Sequence, residues 1–125
     1  MDIILLVDFF NRRLSAVEFS SLIGEEVNKY KEGYKTKGST IPVYLSGNSE
    51  ATVFTNDMVL TICDAFLNGT FSQWHVYYIC DAILMSDSLL VKSEGLEEIV
   101  SSMTDPEING ELTDETVNEI KQQVS

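Results

Sequence analysis

The residue pattern predicts an all-α protein, an antiparallel bundle of about five to six helices forming one domain over residues 1–125. Two observations predict it: a stop-and-restart phrase for helices written three times, and apolar residues recurring at helical spacing around each copy. The phrase is Asn11-Arg12-Arg13-Leu14-Ser15-Ala16-Val17-Glu18-Phe19, then Asn68-Gly69-Thr70-Phe71-Ser72-Gln73-Trp74-His75-Val76, then Asn109-Gly110-Glu111-Leu112-Thr113-Asp114-Glu115-Thr116-Val117. Asn-Gly tolerates the left-handed backbone that closes a helix. The hydroxyl of Ser15, Ser72 or Thr113 then caps the next helix by accepting from its free N–H groups. The pairs Leu14/Phe19, Phe71/Val76 and Leu112/Val117 stand at the spacing of a hydrophobic staple, and Ser15 with Glu18 completes a capping box. The copies start 57 and 41 residues apart, so no fixed period supports a solenoid.

Helix one is expected from about Asp2 to Arg13, with Ile3, Ile4, Leu6, Val7 and Phe10 placing it in the core. Helix two begins at Ser15 and runs to about Tyr30, with Phe19, Leu22, Ile23, Val27 and Tyr30 in one stripe opposite Glu18, Glu25, Lys29 and Glu32. Gly33, Gly38, Pro42 and Gly47 then break the pattern, so residues 33–54 read as a long connection. Within it, 41–45 and 51–54 could pair as a small hairpin, with Pro42 confining the first strand to an edge. A connection this long in a compact domain is functional or mobile. Helix three starts near Thr55 or Asn56 and ends at Asn68-Gly69, burying Val59, Ile62, Cys63, Phe66 and Leu67. Helix four starts at Ser72 and extends as far as Leu90. So little of it is polar that it belongs at the centre of the core, or has its outer face covered. Helix five runs from a Ser93 cap with Leu96, Ile99, Val100 and Met103 inward and Glu94, Glu97 and Glu98 in its first turns. Asp105-Pro106 breaks the chain, and helix six runs from Thr113 to about Gln123.

Charge narrows the function. The net charge is −12, and it is unevenly placed. Residues 1–62 carry six basic and eight acidic residues, whereas 63–125 carry Lys92 and Lys121 against twelve acids, a net of −10. A field of that sign repels nucleic acid and membranes and steers a basic protein inward; mere solubility is the plainer account of it. Lys29, Lys31, Lys35 and Lys37, interleaved with Tyr30 and Tyr34, form the one basic patch. It reads as a mobile loop shielding the acidic half, with nucleic-acid contact the disfavoured alternative. Met1 to Phe10 is too short to span a bilayer and contains Asp2 and Asp8, with no secretory features after it. A cytoplasmic location and reduced core thiols at Cys63 and Cys80 are the corresponding expectations.

Catalytic and cofactor motifs yield little. His75, the single histidine, stands at the third position of helix four without a short metal-ligand spacing to either cysteine, and reads as a capping or interface residue. There is no phosphate-binding glycine loop and no nucleophile elbow. Asp105, Glu107, Asn109, Gly110 and Leu112 fall at calcium-loop positions, but Thr116 stands where a bidentate Glu is needed, and a turn explains the same residues. Asn68-Gly69-Thr70 matches a glycosylation acceptor and reads as a turn. No cofactor or metal is expected.

The stretch Asp8-Phe9-Phe10 followed by Leu14-Ser15-Ala16-Val17-Glu18-Phe19 resembles the opening of small acidic bacterial immunity proteins, the colicin D-like and contact-dependent growth inhibition immunity families. The resemblance extends to Asp64-Ala65-Phe66-Leu67-Asn68-Gly69 and to the helix start at Leu112-Thr113-Asp114-Glu115, covering most of the helical chain outside 33–54. It implies a cytoplasmic antitoxin that binds a cognate toxin domain, often a nuclease, and blocks its active site without catalysis. Charge agrees, since a nuclease is basic around its phosphate cleft and an acidic surface can compete with RNA there. The candidate contact residues are Asp81, Asp87, Glu94, Glu97, Glu98, Asp105, Glu107 and Glu111 for electrostatics. Trp74, Tyr77 and Tyr78 are candidate anchors, with core packing the favoured use of all three. Two rivals come from other classes. One is a non-enzymatic regulatory adaptor docking another basic protein. The other is a small enzyme using Asp8, Asp64 and Asp81 as metal ligands.

Overall fold

All three repeated phrases do what their residues dictate. In the computed structural model, which describes residues 1–37 and 43–125, helices begin directly after Ser15, Ser72 and Thr113. The elements in order are α1 (Ile3–Phe10), α2 (Ala16–Lys37), β1 (Thr52–Val53), α3 (Asn56–Leu67), α4 (Gln73–Met85), β2 (Leu89–Leu90), α5 (Glu94–Ser102), the single turn α6 (Pro106–Asn109) and α7 (Asp114–Val124). The fold is all-α, a helical bundle with, among the described residues, one two-residue parallel strand pair. α4 is central: it packs on α2, α3 and α5, and Val76 to Cys80 are all buried. The other extensive helix contacts are α3 on α7 and α1 on α2. No helix among the described residues is long and apolar enough to cross a membrane.

The capping chemistry is explicit. Ser15 Oγ accepts from Glu18 N–H at 3.1 Å and donates to the Glu18 carboxylate at 3.0 Å. Ser72 pairs reciprocally with His75, and Thr113 with Thr116, as capping boxes. The second residue of every phrase has positive φ: Arg12 at 63°, Gly69 at 87° and Gly110 at 80°. Arg12 is the exception in chemistry, not in shape. Its N–H donates to Phe9 O at 3.2 Å and that of Arg13 to Asp8 O at 2.9 Å, the two bonds of a Schellman stop. A side chain in the left-handed region costs about 1–2 kcal/mol, and glycine's extra freedom in the unfolded chain returns part of that. Arg12→Gly is therefore expected to raise stability by about 0.5–1 kcal/mol, read as a higher urea midpoint at unchanged slope. No gain would mean that the turn is unstrained.

Several boundaries differ from expectation. α1 ends at Phe10 instead of Arg13, because Arg12 leaves the helical region. α2 continues past Tyr30 to Lys37, because buried Tyr34 extends the stripe of Phe19, Ile23, Val27 and Tyr30. Gly33 interrupts the pattern without breaking the helix, at a cost of about 1 kcal/mol. Leu22, expected in that stripe, is 57% exposed. Lys29, Lys31 and Lys35 thus ride a helix instead of a loop.

α4 stops at Met85 instead of Leu90. Ser86 Oγ accepts from the N–H groups of Ser88 and Leu89 at 3.0 and 3.1 Å, turning the chain into β2. The hairpin does not form among the described residues; Ile41 and Pro42 lie outside them. Thr52 and Val53 pair in parallel with Leu89 and Leu90, and Ser46 bridges the N-terminal segment, accepting from Ile3 N–H and donating to Met1 O, each at 2.9 Å. Gly47 makes this possible. At φ 79° it presses on the Asp2 carboxylate that caps α1, where a Cβ would lie 2.7 Å from Oδ1.

The first two phrases meet in the core. Phe9 stacks on Phe19 with ring centroids 4.7 Å apart and lies 5.5 Å from Phe71. His75 fastens the same junction. Its Nδ1 accepts from Ser72 N–H, which leaves Nε2–H to donate to Ser20 Oγ at 3.1 Å, while Ser20 donates to Thr70 O. Burial lowers its pKa, consistent with a neutral ring using both nitrogens.

Candidate partner-binding surface

The acidic residues divide into an outer and an inner group. Glu94, Glu97 and Glu98 project from the first turns of α5, which Ser93 caps by accepting from Leu96 N–H at 3.3 Å. All three are exposed, as is Asp87 on the turn leading to β2. Among the described residues none of the four carboxylates has a Lys or Arg within ion-pair distance; the cations of Arg13 and Lys121 go to Asp8 and Asp64. Glu97 and Asp87 border one shallow depression together with Lys92. Glu94, Glu97 and Glu98 border another with Ser101, Ser102 and Asn109. α5 is thus an acidic ridge without ion pairs among the described residues. Like charges at this spacing are tolerated because water screens them and the helix N-terminus favours them.

Asp81 and Asp105 are inner residues. Tyr30 OH donates to Asp81 and Tyr34 OH to Asp105, each at 2.5 Å, which ties the far half of α2 to α4 and to the start of α6. Burial raises the Asp81 pKa, the Tyr30 bond opposes that rise, and the nearby Asp105 charge adds to it. These two carboxylates are half-buried, and each accepts a hydrogen bond from a phenol. Glu111 is exposed but belongs to the α6–α7 loop, and the side chain of Glu107 lies outside those described.

The aromatic candidates are mostly core. Tyr77 is 1% exposed and its hydroxyl accepts from Leu112 N–H at 2.9 Å. Tyr78 is 5% exposed and donates to Glu26 at 2.9 Å. Trp74 is half-buried, set edge-on against Tyr77 at 5.3 Å and 5.6 Å from Tyr34. Packing is therefore the use of both tyrosines, and Trp74 alone retains an accessible edge.

The chemistry of the other candidates is local. Asp8, Asp64 and Asp81 have three different partners, Arg13, Lys121 and Tyr30, and among the described residues no three metal-ligating side chains converge. Asn109, at the fifth calcium-loop position, uses its amide to donate to Ser101 O and Thr104 O at 3.1 and 2.6 Å. Cys63 and Cys80 are buried free thiols. Burial pushes Cys63 up to about 11 and Cys80 well above its usual value, so both stay protonated near neutrality.

A groove between α5 and α7 has no counterpart in the sequence pattern. It encloses about 560 Å³, floored by Leu96 and Ile99 from α5 and Ile120 and Val124 from α7, with Glu98 at its rim. The stripes of both helices are legible, but the gap left between them depends on how α3 holds α7. Comparison of the chain with protein-family models, curated proteins and solved structures gives no match.

Proposed function

We propose that this protein works by stoichiometric binding, as an immunity protein whose acidic α5 surface covers the basic cleft of a toxin, most simply a nuclease domain. The observation that carries the reading is the ridge of Glu94, Glu97 and Glu98, exposed and without ion pairs among the described residues, with Asp87 at its end. Carboxylates solvated in this way cost little in the free protein and are ready to replace the phosphates of a substrate. The net charge of −12 adds long-range attraction toward a basic partner.

Copurification with the product of the adjacent upstream gene tests the assignment, because an immunity gene accompanies its toxin gene. Recovery of an unrelated basic host protein in its place would assign the adaptor role. Joint reversal of Glu94, Glu97 and Glu98 to Lys tests the electrostatics. Association with the partner at low salt is expected to slow by about tenfold or more, while the melting temperature shifts by only a few degrees, since all three side chains are solvated. An unchanged association rate sinks the electrostatic account.

A further inference from the structure

The ridge of acids and the groove between α5 and α7 share an edge. Glu98 and Ser102 line the groove on one side of α5 and the acidic depression of Glu94 and Glu97 on the other. Leu96, Ile120 and Val124 present only their edges to the groove, being 7%, 9% and 6% exposed, so its floor is apolar but well packed. Gly95, the second residue of α5, lines the groove. A Cβ built there meets only Ser93 Oγ, at 3.7 Å, an ordinary contact. No internal crowding requires glycine at this place. In a helix it is less favourable than alanine, and without a side chain it takes no space from the groove.

We propose that this groove receives an apolar side chain from a basic helix of the protein partner, with that helix's Lys or Arg side chains lying across Glu94, Glu97 and Glu98. The proposal rests on the reading of α5 as the docking surface and specifies the partner's chemistry. Charge complementarity selects the occupant. Residues 63–125, which supply every lining residue but Asn56, carry Lys92 and Lys121 against twelve acids, and Lys121 is engaged by Asp64 at 2.6 Å. An acidic segment, an anionic lipid surface or a nucleic acid would be repelled at this rim, whereas a basic amphipathic helix meets both of its requirements. The volume of about 560 Å³ accommodates large aliphatic or aromatic side chains. Asn56 and Gln123 at the groove's margins offer hydrogen bonds to the incoming backbone or polar groups.

Two synthetic helical peptides test this, each about 18 residues long and bearing the same Lys residues at i, i+4 spacing. One carries Leu along the adjoining stripe and the other carries Ser. The Leu peptide is expected to bind the full chain about tenfold more tightly, and to shift the NMR signals of Leu96, Ile99, Ile120 and Val124. Gly95→Leu, which adds a bulky side chain to the groove lining, is expected to abolish the difference between the peptides, whereas Gly95→Ala preserves it and raises Tm. Equal binding of the two peptides to the wild-type chain, lost on reversal of the three glutamates, would overturn the groove and leave the acidic docking surface standing. Binding of neither peptide would overturn both. The wild-type comparison alone separates these outcomes, so a variant that folds poorly does not obscure the result.

Discussion

Phe19→Ala is expected to lower stability by about 3–5 kcal/mol, the cost of removing a large side chain from a site that cannot collapse. Phe19 is 0% exposed. It stacks nearly parallel on Phe9 of α1, at 12° and 4.7 Å, and meets Phe71 edge-on at 6.3 Å. These contacts join three segments far apart in the chain: the end of α1, the first turn of α2 and the loop that caps α4. Phe19 also completes the staple with Leu14, so its loss loosens the start of α2 as well. A domain of this kind has roughly 5–15 kcal/mol in hand, so the substitution removes a large fraction of it. The expected readout is a fall in Tm on the order of 10–20 °C. Leu22→Ala, three residues away in the same helix, is the control. Leu22 is 57% exposed, and its loss is expected to cost no more than about 0.5 kcal/mol. A loss below about 1 kcal/mol at Phe19 would show that the aromatic junction is not a structural centre.

The contrast between Phe19 and Leu22 shows what a sequence can and cannot disclose. Periodicity places both on the inner side of α2, because they lie within one stripe. Only the crossing of α2 over its neighbours decides that one is sealed and the other open, and that crossing is tertiary. Local chemistry was legible for the same reason. Ser15, Ser72, Ser93 and Thr113 act on N–H groups three residues away, and all four caps form. The strand pairing was hidden. Thr52 finds Leu89 instead of the nearby 43–45 segment, since its partner is supplied by the turn that ends α4. Among the acidic candidates, exposure could be read for Glu94, Glu97 and Glu98, which sit opposite the stripe of α5. It could not be read for Asp81 and Asp105, whose phenol donors arrive from positions 51 and 71 residues away. The α5–α7 groove belongs to the same class, because each wall is legible alone and the space between them is not.

High pH is expected to unfold this protein, through groups the fold holds protonated. Tyr30, Tyr77 and Tyr78 all have raised phenol pKa values, and burial is the first cause in each case. Asp81 adds to the rise at Tyr30 and Glu26 to that at Tyr78, each through a hydrogen bond from the phenol. Cys63 and Cys80 are raised by burial too, Cys63 to about 11. In the unfolded chain a thiol releases its proton near 9.0 and a phenol near 10.0. Above those values the unfolded state has lost protons that the folded state keeps, so each further rise in pH favours unfolding. The stabilisation is thus fully present below pH 9 and is lost as pH climbs toward the raised values. Each such group contributes a slope of up to about 1.4 kcal/mol per pH unit. With two thiols active from about pH 9 and three phenols from about pH 10, the losses add in one direction, and stability falls steeply on the alkaline side. Asp81 acts in the same sense at the acid end. Its pKa is raised chiefly by burial, so the stability it withholds at neutrality returns as pH falls through that raised value. Urea midpoints followed by circular dichroism from pH 7 upward, alongside phenolate absorbance, measure the slope directly. Tyr78→Phe supplies the internal check. It leaves Glu26 its contact with the N-terminal ammonium at 3.4 Å, and removes one of the three phenols. The alkaline slope should then flatten by about 1.4 kcal/mol per pH unit above pH 10. A midpoint constant through pH 11 would mean that these phenols and thiols ionise without unfolding the chain, and that the α2–α4 interface admits water.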